Sequence, residues 1–240
     1  MQNTTKVFRV FVSSPDDADV ERRRVERVVS RLNGDFAGEA RFEVERYETK
    51  FLPAHDAPQR LITPAAECHL VIGILKWKLG TALGPDFPER LPDGRPYPSG
   101  TAYELLTSIR HRQSGADFPD AFVFRYDGGP PSITVGASDE DDVKRQWQAL
   151  SDFIAEWFRT PQGDFKAYFH RYPTADAFEA QIESLLRQWL ADKVAGGRVT
   201  RWPIAIKGSP FRGLDPFDAK HAPVFFGRAH EVEHAVDLWR

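Results

Sequence analysis

The chain has 240 residues, a formal net charge of -3, and 41% hydrophobic and 28% charged residues. This composition is that of a globular protein, and without a net basic charge we expect no direct binding to nucleic acid and no non-specific attraction to anionic membranes. Local basic clusters are compatible with this net charge. The single cysteine, Cys68, excludes an internal disulfide and a cysteine-based zinc site.

The first third of the chain predicts a strand, a helix and a second strand. Residues 7–12 are β-branched and aromatic, which favours a strand, and residues 42–47 alternate in the same way. Between them, Ser14 is the predicted helix cap and Pro15 suits the first helical position. The predicted apolar face of this helix carries Val20, Val25, Val28, Val29 and Leu32. The predicted solvent face carries Arg22, Arg23, Glu26 and Arg27.

The following elements repeat the alternation of strand and helix. Residues 58–67 favour a short helix, and 70–75 form an apolar run typical of a strand buried on both faces. Further along, the sequence predicts strands at 121–126 and 165–169 and helices at 101–112, 139–158 and 174–194. This order predicts an α/β fold over residues 5–195, in which helices flank a doubly wound, mostly parallel sheet of five strands.

The character of the sequence changes after Gly197. Residues 196–208 are predicted to be a linker, and 209–240 an irregular C-terminal extension that is rich in proline. A helix is predicted from about residue 229 to the last residue. Because domains normally end in exposed linkers rather than within a helix, we expect the chain to be the front part of a longer protein.

Ligands of open parallel sheets bind outside the carboxyl ends of the strands, so the turns that follow the strands are candidate sites. Ser13 and Ser14 end the first strand at a helix start, where hydroxyls and amides either bind an anion such as phosphate or cap the helix. Trp77 follows the third strand and either stacks on a base or nicotinamide ring or covers the end of the sheet. Both turns are candidates for binding a substrate.

The segment Pro-Ser-Gly-Thr-Ala-Tyr-Glu at 98–104 opens the helix after the long loop. Ser99 or Thr101 is the predicted cap, and Glu104 then falls in the first turn, where a capping box would use it only to stabilise the helix. As a catalytic group, Glu104 would stabilise the oxocarbenium-like state of N-glycosidic bond cleavage or act as a nucleophile. Ser99, Thr101 and Tyr103 are candidate substrate-binding residues beside it.

Other patterns point to no further chemistry. The histidines show no metal-ligand spacing with carboxylates, so we expect no metal site, and the acidic run 139–142 is typical of a solvated helix start. The phosphate loop G-x-x-x-x-G-K-[ST] does not occur in the 240 residues, which are therefore not expected to hydrolyse ATP alone. The longest apolar stretch, 69–75, cannot span a bilayer, and 1–9 lack the apolar core of a signal peptide, so we expect a cytoplasmic protein.

Three motifs carry a resemblance to a known family: Phe11-Val-Ser-Ser-Pro-x-Asp17 followed by Glu21-Arg-Arg, the buried strand with Trp77 and Gly80, and Ser-Gly-Thr-x-Tyr-Glu104. Together they resemble the TIR-like domains of unknown function at the front of many NACHT and STAND proteins, over residues 5–195. The NAD-cleaving TIR relatives carry a catalytic glutamate at the start of the helix after the third strand, which Glu104 matches. The resemblance therefore implies NAD or a related nucleotide as substrate, although many TIR relatives are scaffolds without activity.

The tail carries a second resemblance. Ser-Pro-Phe-Arg-Gly-Leu-Asp-Pro-Phe at 209–217, followed by Ala-Pro-Val-Phe-Phe-Gly-Arg at 222–228 and Glu231, is similar to the opening segment of the novel STAND NTPase domains. The resemblance implies that Phe226, Gly227 and Arg228 lie near the base of ATP or ADP, bound with Mg, in a full-length protein. An unrelated tail rich in proline and glycine is the alternative.

The two resemblances together imply a signalling switch. A sensor further along the chain would release the ATPase, the protein would oligomerise, and the TIR-like domains would self-associate, as in defence against phage. Two hypotheses follow for these domains. The first is an NAD glycohydrolase-type enzyme that uses Glu104, and the second is a non-catalytic adaptor that acts by self-association or by recruiting a partner.

Overall fold

A computed structural model describes residues 5–45, 63–133, 136 and 138–194 of the chain. The strands are β1 (Lys6–Ser13), β2 (Ala40–Glu45), β3 (Leu70–Leu75), β4 (Asp120–Tyr126) and β5 (His170–Tyr172). The α-helices of the described residues are α1 (Asp19–Asp35), α2 (Gly100–Gln113), α3 (Glu140–Phe158) and α4 (Ala175–Val194). The predicted linker at 196–208 and extension at 209–240 lie outside the described residues.

The five strands form one sheet in the order β2-β1-β3-β4-β5, and each neighbouring pair is parallel. This is the strand order of flavodoxin-like, doubly wound folds, so the predicted fold class is confirmed. From β1 the chain continues to β2 on one side of the sheet, and from β3 it continues to β4 on the other side. The neighbouring ends of β1 and β3 are therefore the topological switch point, where such sheets bind ligands.

Both faces of the sheet are covered by apolar side chains because alternate residues of each strand point to opposite faces. Val10 and Val12 of β1 belong to a core that the sheet shares with α1 and α4. Phe11, between them, belongs to a second core that includes residues of α2 and α3. Ser13 ends β1 on the same face as Phe11, and this alternation directs its side chain towards α2.

A glycine in β3 sets the distance between α2 and the sheet. Gly73 is the register partner of Ser13, and a Cβ added to it would lie 2.6 Å from Leu105 Cδ2. Because that space is free of a side chain, Leu105 of α2 packs directly on the strand and is completely buried. The close approach brings Glu104, the neighbour of Leu105, to the end of β1.

The structure corrects several local predictions. The fifth strand is His170–Tyr172 and not 165–169, where Phe165 is instead bridged to Arg159. Of the predicted helix at 58–67, residues 63–67 are described, and Ala65–Glu67 form a single 3-10 turn. No helix among the described residues is long and apolar enough to cross a membrane.

The start of α1 also differs from its prediction. Ser14 does not cap the helix, since a 3-10 turn at Asp16–Ala18 precedes α1 and neither element has a side-chain cap. Instead, the Ser14 hydroxyl accepts a hydrogen bond of 3.0 Å from Arg22 Nη1, which also donates to the Pro15 carbonyl at 2.7 Å. Arg22, predicted on the solvent face, is thus buried beneath the turn that follows β1.

Candidate functional site

A cleft of about 510 Å³ lies at the switch point between β1 and β3. Its walls come from the turn after β1, the loop after β3 and the beginnings of α2 and α3. The residues that line it are Ser14, Pro15, Asp16, Lys78, Gly80, Thr81, Ala82, Gly100, Thr101, Glu104, Asp142, Arg145 and Gln146. Its volume is in the usual range for a small-molecule site.

Glu104 is the buried carboxylate of this cleft. Its side chain comes from α2, only 4% of the residue is exposed, and its Oε2 accepts a hydrogen bond of 2.6 Å from Ser13 Oγ. Ser13 is itself 1% exposed and lies behind Glu104 rather than among the lining residues. A distance of 2.6 Å is typical of a hydroxyl that donates to an ionised carboxylate. The pair thus joins the end of β1 to α2 at the floor of the cleft.

Glu104 makes this contact because α2 starts two residues too early for a capping box. Such a box would need Thr101 as the cap and Glu104 as the third helical residue. The N-cap is Ser99, whose Oγ accepts from the Ala102 backbone N–H at 3.1 Å and donates to the Leu79 carbonyl at 2.7 Å. Glu104 is consequently the fifth residue of α2, and its side chain contacts β1 rather than its own helix terminus. Thr101 is then free from capping and lines the cleft.

Two side chains hold the loop after β3: that of Asp17, from the 3-10 turn after β1, and that of Gln146, from α3. Asp17 Oδ2 accepts from the backbone N–H groups of Trp77 at 2.8 Å and Lys78 at 3.0 Å. Gln146 Oε1 of α3 accepts from the next two, those of Leu79 and Gly80, both at 3.2 Å. Four successive amides are therefore satisfied inside the protein, so the loop presents side chains, not amides, to a ligand.

Burial raises the pKa of the Asp17 carboxyl, against the opposing effect of the two N–H groups that it accepts from Trp77 and Lys78. The pKa of Lys78 is also raised. Its burial alone would lower that pKa, but its hydrogen bond to Asp16 and the charges of Asp16, Asp17 and Asp142 outweigh this effect. Lys78 therefore stays fully charged at the cleft, with its Nζ 3.0 Å from Asp16 Oδ1.

Two candidates from the sequence, Trp77 and Tyr103, do not line the cleft, and their side chains pack on other aromatic residues. The Trp77 indole donates from Nε1 to the Gly129 carbonyl at 3.1 Å and packs edge-on against Tyr126, so it covers the end of β4. Tyr103 packs between Phe87 and Tyr97, with ring centroids 5.0 Å away in both cases. Burial raises the pKa of Tyr103, and the nearby charges of Glu89 and Glu104 add to this effect.

The remaining candidates divide into two groups. Ser14, Thr101 and Glu104 line the cleft, and Ser13 and Ser99 support it from below by hydrogen bonds to Glu104 and to the Leu79 carbonyl. Phe226, Gly227 and Arg228, the candidate contacts to ATP or ADP, lie outside the described residues.

Sequence reasoning missed the wall that α3 provides. Asp142 and Arg145, which form an ion pair at its first turns, and Gln146 all line the cleft. The sequence predicts a solvated helix start at 139–142, and Arg145, which follows that run, is exposed. Gln146 lies 66 residues along the chain from Gly80, so its contact with the loop after β3 has no local signal in the sequence.

In the described part of the chain, no group of three or more histidine, cysteine, aspartate or glutamate side chains is arranged to hold a metal ion. The cleft is lined by the hydroxyls of Ser14 and Thr101, by the Glu104 carboxylate, and by two ion pairs, Lys78–Asp16 and Arg145–Asp142. Such a mixture of polar groups suits an organic ligand. Comparison of the chain with protein-family models, with curated proteins and with solved structures finds no match.

Proposed function

We propose that the cleft binds NAD or a related nucleotide and that Glu104 promotes cleavage of its N-glycosidic bond. The observation that carries the proposal is the position of this carboxylate. It is buried, it is held by Ser13, and it faces a ligand-sized cleft at the switch point of the sheet. A structural capping role would have placed Glu104 on the amides of its own helix.

In this reaction the bond between ribose C1′ and the nicotinamide nitrogen breaks, and nicotinamide leaves with the bonding electron pair. Positive charge develops on C1′ and the ring oxygen, and the Glu104 carboxylate stabilises it. Water then adds to C1′ and releases a proton, which gives ADP-ribose. Ser13 fixes the carboxylate through its hydrogen bond. Lys78 and Arg145, which also pair with Asp16 and Asp142, are the cations of the cleft that would contact the phosphates.

The proposal also gives the domain at residues 5–195 a role as the effector of a STAND-type signalling ATPase. Oligomerisation of this ATPase would bring several copies of the domain together. Its support is the resemblance of the tail at 209–231 to the opening of STAND NTPase domains. Clustering is therefore part of the test. The 240-residue chain would be displayed on a multimeric scaffold, and release of nicotinamide from NAD would be followed by chromatography.

We expect turnover by the wild-type chain and a loss of at least about a hundredfold in Glu104→Ala, because a group that acts in the transition state is removed. Glu156→Ala removes an exposed carboxylate from α3 outside the cleft and is the matched control. If the wild type released no nicotinamide although its copies were assembled, or if Glu104→Ala kept its rate, the enzymatic proposal would fail.

A non-catalytic adaptor is the second candidate, and a surface feature favours it. Phe165 and Tyr168, just before β5, are 51% and 67% exposed, and their ring centroids are 5.7 Å apart. Exposed neighbouring aromatic side chains commonly mark a contact with another protein. For an adaptor, replacement of both by serine would abolish self-association, measured by sedimentation, while Glu104→Ala would leave it unchanged.

A further inference from the structure

A second groove, of about 360 Å³, opens at the carboxyl ends of β4 and β5 and shares no lining residue with the cleft. Three arginines line it: Arg125 of β4, Arg171 of β5, and Arg159, which follows α3. Trp147 and Phe169 contribute aromatic rings to the same surface. We call this surface the arginine groove.

The positive charges of the arginine groove are concentrated and exceed the negative charge of its lining. Arg125 and Arg171 are direct register partners on neighbouring strands, a placement in which like charges repel. Within the described residues, none of the three guanidinium groups lies within 4.0 Å of a carboxylate oxygen, and Asp127 is the one acidic residue that lines the groove. An anion bound between the arginines would relieve this repulsion.

The guanidinium groups are nevertheless held in position. Arg125 Nη1 donates to the Tyr126 carbonyl at 2.8 Å and to the Lys76 carbonyl, and its Cζ lies 4.9 Å from the centre of the Trp147 ring. Phe169, only 3% exposed, has Arg159 Cζ 5.8 Å and Arg171 Cζ 5.9 Å from its ring centre. Aromatic faces and carbonyl groups hold the cations in place without neutralising their charge.

We propose that the arginine groove binds a phosphorylated small molecule, whose phosphate oxygens take hydrogen bonds from Arg125, Arg159 and Arg171. The planar fork of a guanidinium group matches a phosphate in two hydrogen bonds at once, and several converging forks suit a group with more than one negative charge. The volume of the groove suits a small ligand. This site is independent of the function proposed for the cleft.

The test is titration calorimetry of the 240-residue chain with inorganic pyrophosphate. We expect wild-type binding that weakens as salt is added, since part of the attraction is between exposed charges. Arg171→Gln and Arg159→Gln should each raise the Kd about tenfold or more, because each removes a charge-assisted contact. Arg41→Gln removes the same charge from β2, the opposite edge strand, and should leave the Kd unchanged.

Three results would overturn the proposal. The wild type could fail to bind pyrophosphate with a Kd below about 1 mM. Arg41→Gln could weaken binding as much as Arg171→Gln, which would indicate attraction by overall charge. Lys78→Gln, in the cleft, could abolish binding while Arg171→Gln leaves it intact, which would locate pyrophosphate in the cleft instead. Because Arg171 is exposed, we expect Arg171→Gln to unfold at the same urea concentration as the wild type. Urea unfolding thus separates a lost contact from a lost fold.

Discussion

Replacement of Ser13 by alanine isolates the hydrogen bond that holds Glu104. The substitution removes one hydroxyl from the end of β1 and leaves the Cβ in place, so it opens little space. What changes is that Glu104 Oε2 loses its donor at 2.6 Å. Since both residues are almost completely buried, water cannot readily take the place of that donor.

The magnitude follows from the geometry of this contact. A hydrogen bond to a charged group contributes about 1.5–3 kcal/mol, and a length of 2.6 Å lies at the strong end of the range for such bonds. With little solvent screening at 1% and 4% exposure, we expect Ser13→Ala to lower the free energy of unfolding by about 2 kcal/mol. For a domain of this size the loss corresponds to about 4–8 °C in Tm.

Urea unfolding of wild type, Ser13→Ala, Glu104→Ala and the double variant gives the coupling energy of the pair directly. Ser30→Ala, on an exposed position of α1, is the matched control and should change the stability by less than about 0.5 kcal/mol. If Ser13→Ala cost no more than this control, or if the coupling energy were close to zero, the inferred charge-assisted bond would be refuted.

Two further predictions concern the sheet. Gly73→Ala should lower the free energy of unfolding by about 1–3 kcal/mol in urea, because its Cβ would lie 2.6 Å from Leu105 Cδ2, and wild-type stability would contradict the inferred packing. Burial raises the pKa of the Tyr172 hydroxyl above its usual range, as do the nearby Glu21 and Asp17 charges. The unfolded state then ionises first, so stability should fall above pH 10 by about 1.4 kcal/mol per pH unit. Tyr172→Phe should reduce this fall in thermal unfolding, with the contribution of Tyr103 remaining, and an alkaline limb as steep as that of the wild type would contradict the prediction.

The sequence predicted the fold well where patterns are local. The run 70–75 is continuous and apolar, and Leu70–Leu75 is indeed the strand with every residue buried. The fifth strand was misplaced because aromatic content at 165–169 indicates a strand without indicating its partner. The pairing with β4 selects His170–Tyr172 instead, and Phe165 and Tyr168 remain exposed.

The site was predicted only in part, because several of its contacts are not encoded by local patterns in the sequence. The segment at 98–104 indicates Glu104 as a candidate near the start of the helix after the long loop, but it leaves Ser99 and Thr101 open as the cap of α2. Ser99 caps the helix because its Oγ can also donate to the Leu79 carbonyl, a contact that spans 20 residues. The contacts of Gln146 and Arg22 likewise depend on tertiary structure, so neither residue could be assigned from spacing alone.

Joining β1 to α2 through the Ser13–Glu104 pair carries a desolvation cost. Burial of a carboxylate costs several kcal/mol before its hydrogen bonds offset that cost, and two apolar residues of similar volume would commonly stabilise such a contact equally well. The neighbouring packing of Leu105 on Gly73 already joins the same helix to the sheet with apolar atoms. The polar pair occurs only one residue earlier in α2, where the core meets the cleft at the switch point. The position of this buried carboxylate on the cleft lining is consistent with the proposal that it acts on a ligand.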